Sequence, residues 1–287
     1  MNIKDIAHIV VPQKVWKALR LRRILRTHKQ VAELCDNLIK DRLSCDTHLH
    51  AEPLKQLESE NIIWQYWAQG FDNVPPVVAD CLSSVDRYKG NYQVIRLTDA
   101  NYSEYIQFPE SFLPKIPLMS KAHFSDILRV ALLEAYGGVW MDATIMLTGE
   151  IPAEYLQMDY FVFQRDPDEP NKDYWENAYA YYYGWADGFQ VNMLSSFMVA
   201  KKGDPVISYL SDTLLLWWQE NDFLPDYFLL QILYDVLIKG RMKQNKCPVV
   251  SDCLPHYLQQ SINDSNFSLM NRSSIINSIH IHKLTYK

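Results

Sequence analysis

The clearest hydrophobic pattern in the chain lies between residues 121 and 147, and it predicts a helix, a glycine break and a buried strand. Apolar side chains recur there every three or four residues, as on one face of a helix: Phe124, Ile127, Leu128, Ala131, Leu132 and Ala135. Gly137 and Gly138 then end the helix, because glycine readily takes the left-handed cap conformation. The apolar run at 139–147 predicts a central strand.

A few polar side chains interrupt this apolar stretch. Three of them lie off the apolar face of the predicted helix, at positions that are neighbours on a helix surface: Ser125, Asp126 and Arg129. In the predicted strand, alternation of side chains puts Asp142 and Thr144 on one face, with Trp140 and Met146. A buried carboxylate is costly unless it is paired or binds a metal ion. Asp142 is therefore the first candidate functional group.

Shorter patterns on either side predict an α/β order. Residues 61–70 and 92–97 predict strands that flank a short helix at 77–85. Further along, strands are predicted at 160–164 and 196–201, helices at 205–220 and 227–238, and a terminal strand at 278–287. Residues 165–190 contain few aliphatic side chains, so we expect a long loop or lid there.

The first 50 residues predict a mostly helical segment that differs in charge from the rest of the chain. Residues 14–29 hold seven of the 28 basic residues and no acidic one, among apolar positions that Arg22 interrupts. Such a segment could lie on an anionic membrane surface, or it could be a solvated helix packed on the edge of a domain. We divide the chain into a basic helical segment, 1–50, and one larger domain, 51–287.

Composition limits the class of protein. The 287 residues suffice for one large domain, and 48% apolar with 22% charged residues is typical of a soluble globular protein. A net charge of −6 argues against a general nucleic-acid binder. Five cysteines without a CxxC pair indicate neither a disulfide framework nor a zinc knuckle, and favour a reducing compartment. Neither a signal peptide nor a membrane-spanning run is predicted.

The central stretch resembles the sugar-nucleotide site of GT-A glycosyltransferases. In that group a serine-aspartate helix with an arginine leads through two glycines into a strand bearing Asp-X-Asp, and this chain has Ser125-Asp126-Ile127-Leu128-Arg129, Gly137-Gly138 and Asp142-Ala143-Thr144. The sequence is most similar to bacterial capsular polysaccharide synthesis proteins and to the DXD-containing glycosyltransferase family 32. The large clostridial glucosylating toxins look similar over the same span. The resemblance is strong from about residue 60 to 150, with one departure: Thr144 stands where the second aspartate usually stands.

The resemblance implies an α/β GT-A fold with a mixed, mostly parallel central sheet and an N-terminal helical extension. It also implies a metal-dependent, hexosyltransferase-type enzyme. Such an enzyme would move a sugar from a nucleotide-sugar donor, a UDP-sugar, to a growing polysaccharide or lipid-linked glycan, with retention of configuration. The expected location is the cytoplasm, against the inner face of the bacterial plasma membrane.

Two other functions stay open. A nucleotide-sugar-binding subunit without turnover is one of them, because Thr144 breaks the usual acidic pair. A nucleotide-sugar hydrolase is the other, since water can take the place of a poor acceptor.

The resemblance assigns donor-binding roles to eight residues: Gln65, Trp67, Ser125, Asp126, Arg129, Gly138, Asp142 and Thr144. Trp67 could stack on a uracil ring, and the alternative is a tryptophan of the core. The alternative for Asp126 and Arg129 is a surface ion pair of little energetic value. The resemblance instead places them at the donor sugar and ribose, where a guanidinium group suits hydroxyls and phosphate.

A divalent metal ion, Mn²⁺ or Mg²⁺, would neutralise the donor diphosphate as it leaves. Asp142 is the first candidate ligand, and the hydroxyl of Thr144 is a weaker one. The enzymes of this group often place a C-terminal histidine on the metal. His282 is the candidate here, with His280 as its alternative.

The candidate base or nucleophile is Asp226, which lies at a predicted helix start. Helix capping explains an aspartate there equally well. A retaining enzyme of this group need not have a dedicated base. The transferring face could then be lined by polar side chains such as Asn192 or Gln231.

Overall fold

The computed structural model of the chain describes residues 13–44 and 49–286, and its centre is a five-stranded sheet. In spatial order the strands are β3 (Gln93–Leu97), β2 (Ile62–Tyr66), β5 (Gly138–Met141), β8 (Met193–Ala200) and β7 (Tyr160–Gln164). β2 pairs in parallel with β3 and β5, whereas β8 runs antiparallel to β5 and β7. All strands of this sheet except β8 therefore point the same way, which confirms the expected α/β fold with a mixed, mostly parallel sheet.

Two short antiparallel ribbons accompany the central sheet. One joins β1 (Glu52–Pro53) to β4 (Ile106–Gln107). The other joins β6 (Ile145–Leu147) to β9 (Ile281–Lys283), with Ile145 opposite Lys283 and Met146 opposite His282. The second ribbon brings the C-terminal part of the chain to the end of β5.

Helices cover both faces of the sheet. Their bounds are α1 (Gln13–Ser44), α2 (Pro76–Tyr88), α3 (Lys121–Tyr136), α4 (Ala153–Leu156), α5 (Lys172–Ala178), α6 (Pro205–Glu220), α7 (Leu229–Lys239), α8 (Tyr257–Asn263) and α9 (Arg272–Ser278). Short 3₁₀ turns occupy Tyr102–Glu104, Leu113–Leu118, Lys243–Asn245 and Leu254–His256. Side-chain caps lie at several helix starts: Ser120 accepts from the His123 amide before α3, Asp204 from the Val206 amide before α6, and Asn271 from the Ser274 amide before α9.

Strands β2, β7 and β8 are buried at every position, as expected for a sheet that is covered on both sides, whereas the edge strand β3 begins at the exposed Gln93. Trp64 and Trp140 belong to one buried cluster, which packs against α3, α6 and α7. Their neighbours along the strands, Ile63 and Val139, belong to a second cluster with β6, β9 and α4. The predicted apolar face of α3 is buried in the first cluster. Hydrophobic burial on both faces thus fixes the register of the sheet.

The N-terminal helix α1 is attached to α6 and α7 from Ile24 onward. Side chains three or four residues apart are buried there: Ile24, His28, Val31, Cys35, Leu38 and Ile39. Arg42 forms a nearly buried ion pair with Asp212 of α6, with 2.6 Å between nitrogen and oxygen. In the first half, Val15 and Leu19 are exposed by 45% and 50%. The division of the chain at residue 50 stays a prediction, and residues 1–12 and 45–48 of that segment lie outside the described residues.

The loop or lid predicted for residues 165–190 is partly wrong. The segment contains α5, and its Trp175 and Tyr183 are fully or almost fully buried in a cluster with Tyr257. Arg165 forms a buried ion pair with Asp252, at 3.0 Å. These aromatic side chains form a core with residues from the C-terminal third of the chain, so the segment is packed and not a free loop.

Gly138 lies where two strands approach each other closely. Its φ angle is +97°, and a Cβ atom built on it would lie 2.5 Å from the carbonyl oxygen of Ile62 in β2. Gly137 precedes it with φ +72° and ends α3, as predicted. The glycine pair therefore permits both the helix end and the close pairing of β5 with β2.

We expect Gly138→Ala to lower the free energy of unfolding by roughly 2–5 kcal/mol. About 1–2 kcal/mol of this arises from the left-handed backbone, and about 1–3 kcal/mol from the clash with Ile62. Gly70→Ala is the matched control, because Gly70 has φ +90° and open space, among the described atoms, where its Cβ would lie. Urea denaturation of both variants measures the difference. Equal losses would show that close strand packing is not the reason for glycine at position 138.

Candidate functional site

The chain turns sharply at the carboxyl end of β5, and this turn carries the two polar residues that the sequence placed on one strand. β5 ends at Met141, and the Ile145 amide donates to the Asp142 carbonyl oxygen at 2.9 Å, which closes a turn over residues 142–145. The continuous strand predicted at 139–147 is therefore wrong, since the turn separates β5 from β6. Asp142 and Thr144 lie in this Asp142 turn, and ligands of open α/β sheets bind beyond such strand ends.

The Asp142 carboxylate has three partners. Its Oδ1 accepts from the Trp140 indole at 3.0 Å and from the Arg129 guanidinium at 3.3 Å. Its Oδ2 lies 3.4 Å from the Lys283 ammonium nitrogen. The side chain is 24% exposed. Two cations therefore compensate the carboxylate, which still faces solvent in part.

Arg129 connects three elements at the site. Its Nη1 donates to the Ser195 carbonyl oxygen of β8 and lies 2.9 Å from Asp126 Oδ1, while its Nη2 donates to Ser125 Oγ at 3.1 Å. The residue is only 4% exposed. The alternative of a surface ion pair is therefore wrong, because the guanidinium is buried and has partners on α3, β8 and the Asp142 turn.

Asp126 lies on α3 beside the same guanidinium. Burial raises the pKa of Asp126 to about 6; the Arg129 charge opposes this shift and the Asp142 charge adds to it. The site thus contains two carboxylates and two cations at short range, with little net charge. Its carboxylate oxygens are suited to accept hydrogen bonds from ligand hydroxyls.

The fourth charge, Lys283, was not predicted from the sequence. Its ammonium group donates to Thr144 Oγ1 as well as contacting Asp142, and the next amide, that of Leu284, donates to the Thr144 carbonyl oxygen at 2.9 Å. Its position next to His282 could have indicated it. Neighbouring residues on a strand point to opposite faces, so Lys283 faces the Asp142 turn if His282 faces away from it.

The structure does not bring His282 to Asp142. The side chain is fully buried, and its Nε2 lies 3.1 Å from Thr148 Oγ1. Burial lowers the pKa of His282 to about 4, so the ring is neutral near pH 7. His280 also lies elsewhere, with its Nδ1 3.2 Å from the Glu150 carbonyl oxygen. Strand alternation is the physical reason: the face of β9 that meets the Asp142 turn carries Lys283.

Gln65 and Trp67 lie on and just after β2, the neighbour of β5. Gln65 is fully buried, and its Oε1 accepts from Arg96 at 3.2 Å; within the described chain its Nε2 has no hydrogen-bond partner. Trp67 packs in a cluster with Ala143 of the Asp142 turn, and its ring lies edge-on to Tyr286 at 5.3 Å. The structure therefore brings Trp67, as predicted, to the same end of the sheet as Asp142.

Gly138 was predicted to bind the donor, but the structure places it away from Asp142. It begins β5, whereas Asp142 follows its end, so roughly 13 Å of strand separates them at about 3.3 Å per residue. A cavity of about 210 Å³ lies at that opposite end of the sheet, lined by Gly138, Asn61 and Lys201 among others. It contains none of the buried ionic network found at Asp142, so we do not place the site there.

Asp226 caps a turn before α7. Its Oδ1 accepts from the Phe228 amide at 2.8 Å, which is the capping role left open by the sequence. The ring of the adjacent Tyr227 lies edge-on to His123 of α3, with 5.3 Å between the ring centroids. Partial burial of the Tyr227 hydroxyl, and then the charges of Asp126 and Asp142, raise its pKa. Tyr227 was not predicted from the sequence.

The two polar residues proposed for the transferring face differ in position. Gln231 on α7 donates to Ser195 Oγ at 3.0 Å, and the Ser195 carbonyl oxygen accepts from Arg129. Asn192 instead donates to Asp235 Oδ1 at 2.9 Å. Gln231 therefore belongs to the Arg129 network, whereas the hydrogen bonds of Asn192 lie with Asp235 and Phe189.

The site combines four kinds of group at the carboxyl ends of the strands: carboxylates, cations, a hydroxyl and the partly buried indole of Trp67. Carboxylates accept from sugar hydroxyls, ammonium groups pair with phosphate, and an indole stacks on a planar ring or a sugar. A ligand that carries hydroxyls, a phosphate and a ring would use all of them.

The chain is similar to a protein family and to individual proteins, over different spans. The family model for the capsular polysaccharide synthesis protein matches residues 15–287. The O-glycosyltransferase braB of Annulohypoxylon truncatum is 29% identical over 161 residues, which cover 52% of this chain and 35% of that protein. The O-glycosyltransferase PaGT of Phomopsis amygdali is 28% identical over 181 residues, which cover 58% of this chain and 41% of that protein. The matches thus span less than half the length of either relative.

Among solved structures, the chain is similar to one described as PaToxG Glycosyltransferase. The TM-score is 0.41 and the sequence identity 12%, over 76% of this chain and 79% of that one. A likeness at this level supports no argument about individual residues.

Proposed function

Since the chain belongs to the capsular polysaccharide synthesis protein family, we propose that it is a glycosyltransferase with a UDP-sugar as donor. The acceptor is a hydroxyl of a growing polysaccharide or of a lipid-linked glycan, and the hexose is transferred with retention of configuration. The observation that supports this proposal best is the buried Arg129 network, which fixes Asp126 and Asp142 at the carboxyl ends of the strands.

Each part of the site has a role in this proposal. The Trp67 indole stacks on uracil, and Gln65 supports the same strand end. Asp126 and Asp142 accept from hydroxyls of the donor, and Arg129 holds both carboxylates in place. Because Asp226 caps a turn, no dedicated base is assigned to it. Gln231 and the Tyr227 hydroxyl supply polar groups on the side of the acceptor.

The residues present at Asp142 do not fit the Mn²⁺ or Mg²⁺ site that the resemblance implies. Such ions prefer several oxygen ligands. Here Thr144 replaces the second carboxylate, His282 lies on the other face of its strand, and the Lys283 ammonium contacts both remaining groups. Within the described ranges, moreover, no group of three or more His, Cys, Asp or Glu side chains is arranged to hold a metal ion. We therefore derive no step through a metal ion.

Nucleotide binding by Trp67→Ala tests the donor pocket. We expect this variant to bind both UDP and a UDP-hexose roughly 5- to 150-fold more weakly, because stacking of a base on an aromatic ring contributes about 1–3 kcal/mol. Tyr181→Ala is the control, since Tyr181 is 60% exposed in another part of the chain. Isothermal titration with the full chain gives the affinities. Unchanged UDP affinity in Trp67→Ala would contradict the proposed pocket.

An assay of the wild-type chain distinguishes the proposed transferase from the two alternative functions. UDP release from a UDP-hexose is followed with and without a membrane glycan fraction. Release that needs the glycan supports the transferase. Release in its absence indicates the hydrolase, and binding without release indicates the non-catalytic subunit. A chain that binds none of a panel of UDP- and GDP-sugars would refute the proposed function itself.

We propose that the protein is located in the cytoplasm and that α1 contacts an anionic membrane surface. The basic first half of α1 exposes Val15 and Leu19 among its cations, while its second half is fixed to the domain. Among the described helices none is long and apolar enough to cross a membrane. The contact would be peripheral, and salt would weaken it.

We expect the triple variant Lys14→Gln, Lys17→Gln, Arg23→Gln to bind anionic vesicles roughly 100-fold more weakly, at about 1 kcal/mol per basic residue. The matched control is Lys202→Gln, Lys243→Gln, Lys246→Gln, which removes three exposed charges elsewhere. Sedimentation with phosphatidylglycerol-containing vesicles and with pure phosphatidylcholine vesicles measures both. An equal loss in the control, or binding that ignores lipid charge, would contradict the membrane contact.

A further inference from the structure

The Lys283 ammonium lies between two oxygen atoms of the Asp142 turn. It donates to Thr144 Oγ1, and it lies 3.4 Å from Asp142 Oδ2. The Lys283 side chain is 23% exposed, so it is in part open to solvent. A fixed positive charge thus stands at the strand end where a sugar nucleotide would place its diphosphate.

We propose that Lys283 takes the place of a divalent metal ion, so that its ammonium group binds and neutralises the diphosphate of the donor. This inference rests on the proposed sugar-nucleotide function. It predicts that the chain binds UDP without any added metal.

The backbone around Lys283 is held on both sides. Lys283 pairs with Ile145 in the β6–β9 ribbon. The Leu284 amide donates to the Thr144 carbonyl oxygen at 2.9 Å, and the Thr285 amide donates to Gln259 Oε1 at 2.7 Å. The base of the lysine side chain is therefore fixed relative to the Asp142 turn, and the charge is positioned before the donor binds.

The residue at position 144 agrees with this role. An aspartate there would add a second negative charge beside Asp142, and would favour a divalent cation. Threonine instead accepts a hydrogen bond from the ammonium without cancelling its charge. Asp142 Oδ2 pairs with Lys283, and Asp142 Oδ1 accepts from Arg129. A divalent ion in the same place would be repelled by the ammonium and would lack a second carboxylate.

In the proposed reaction the sugar is transferred to the acceptor, and UDP is the leaving group. The bond between the sugar C1 and the β-phosphate oxygen breaks, and its electron pair stays on that oxygen. The acceptor hydroxyl oxygen forms the new bond to C1, and its proton passes to the leaving phosphate. Lys283 donates to the β-phosphate oxygens and offsets the negative charge that develops there.

Binding of UDP and of uridine to the full chain tests the proposal, with titrations in EDTA and in Mn²⁺. The wild-type chain should bind UDP in EDTA with an affinity within about threefold of that in Mn²⁺. Lys283→Gln keeps a donor for Thr144 but loses the charge, so it should weaken UDP binding roughly 10-fold or more and leave uridine binding unchanged. Lys201→Gln is the matched control, because Lys201 pairs with exposed Asp159 at the other end of the sheet.

A double variant, Thr144→Asp with Lys283→Gln, restores the acidic pair and removes the ammonium. It should bind UDP only when Mn²⁺ is present, which would support the replacement. A double variant with wild-type affinity in EDTA would overturn it. The replacement would also be overturned if the wild-type chain bound UDP only with Mn²⁺, or if Lys283→Gln left the UDP affinity unchanged. In these cases the proposed function would still stand. If the wild-type chain binds no nucleotide in either buffer, both proposals fail.

Discussion

The buried Arg129 guanidinium is the interaction on which the rest of the site depends. It joins Asp126 of α3, the Ser195 carbonyl oxygen of β8 and Asp142. Removal of one partner from a buried ion pair typically costs about 3–5 kcal/mol, because it leaves an uncompensated charge. The helix, the central sheet and the Asp142 turn are therefore held in a single arrangement. This arrangement positions two carboxylates at the carboxyl ends of the strands.

The two ends of β5 differ in role, since one packs against β2 and the other leads into the candidate site. At its start, Gly138 allows β5 to approach β2, so that this end serves the fold. At its end, the chain leaves the sheet in the Asp142 turn, and the β6–β9 ribbon brings Lys283 across from the C-terminal part of the chain. The site is thus assembled from residues that are far apart in sequence, and its charges are balanced in the protein itself. A neutral, hydrogen-bonded site of this kind is prepared for a ligand that brings both hydroxyls and an anionic group.

Local patterns predicted most of the elements, and long-range pairing decided the rest. The helix α3 and the strands β2, β3 and β7 follow from apolar periodicity, which depends only on neighbours in sequence. The end of β5 at Met141 does not, because the Asp142 turn is fixed by contacts with Ser196 and Lys283. Whether His282 or Lys283 faces the Asp142 turn likewise depends on the register of β9 against β6. The family resemblance found Arg129 and Asp142, but it could not show that Gly138 serves strand packing.

A crystal structure of the full chain with UDP, grown in the presence of EDTA, tests most directly the claim that a sugar nucleotide binds at the Asp142 turn. The account predicts uracil against Trp67 and diphosphate oxygens within hydrogen-bond distance of the Lys283 ammonium, roughly 3 Å. UDP bound at the opposite end of the sheet, beside Gly138, would contradict the account. A diphosphate at the Asp142 turn that points away from both Lys283 and Arg129 would contradict it as well.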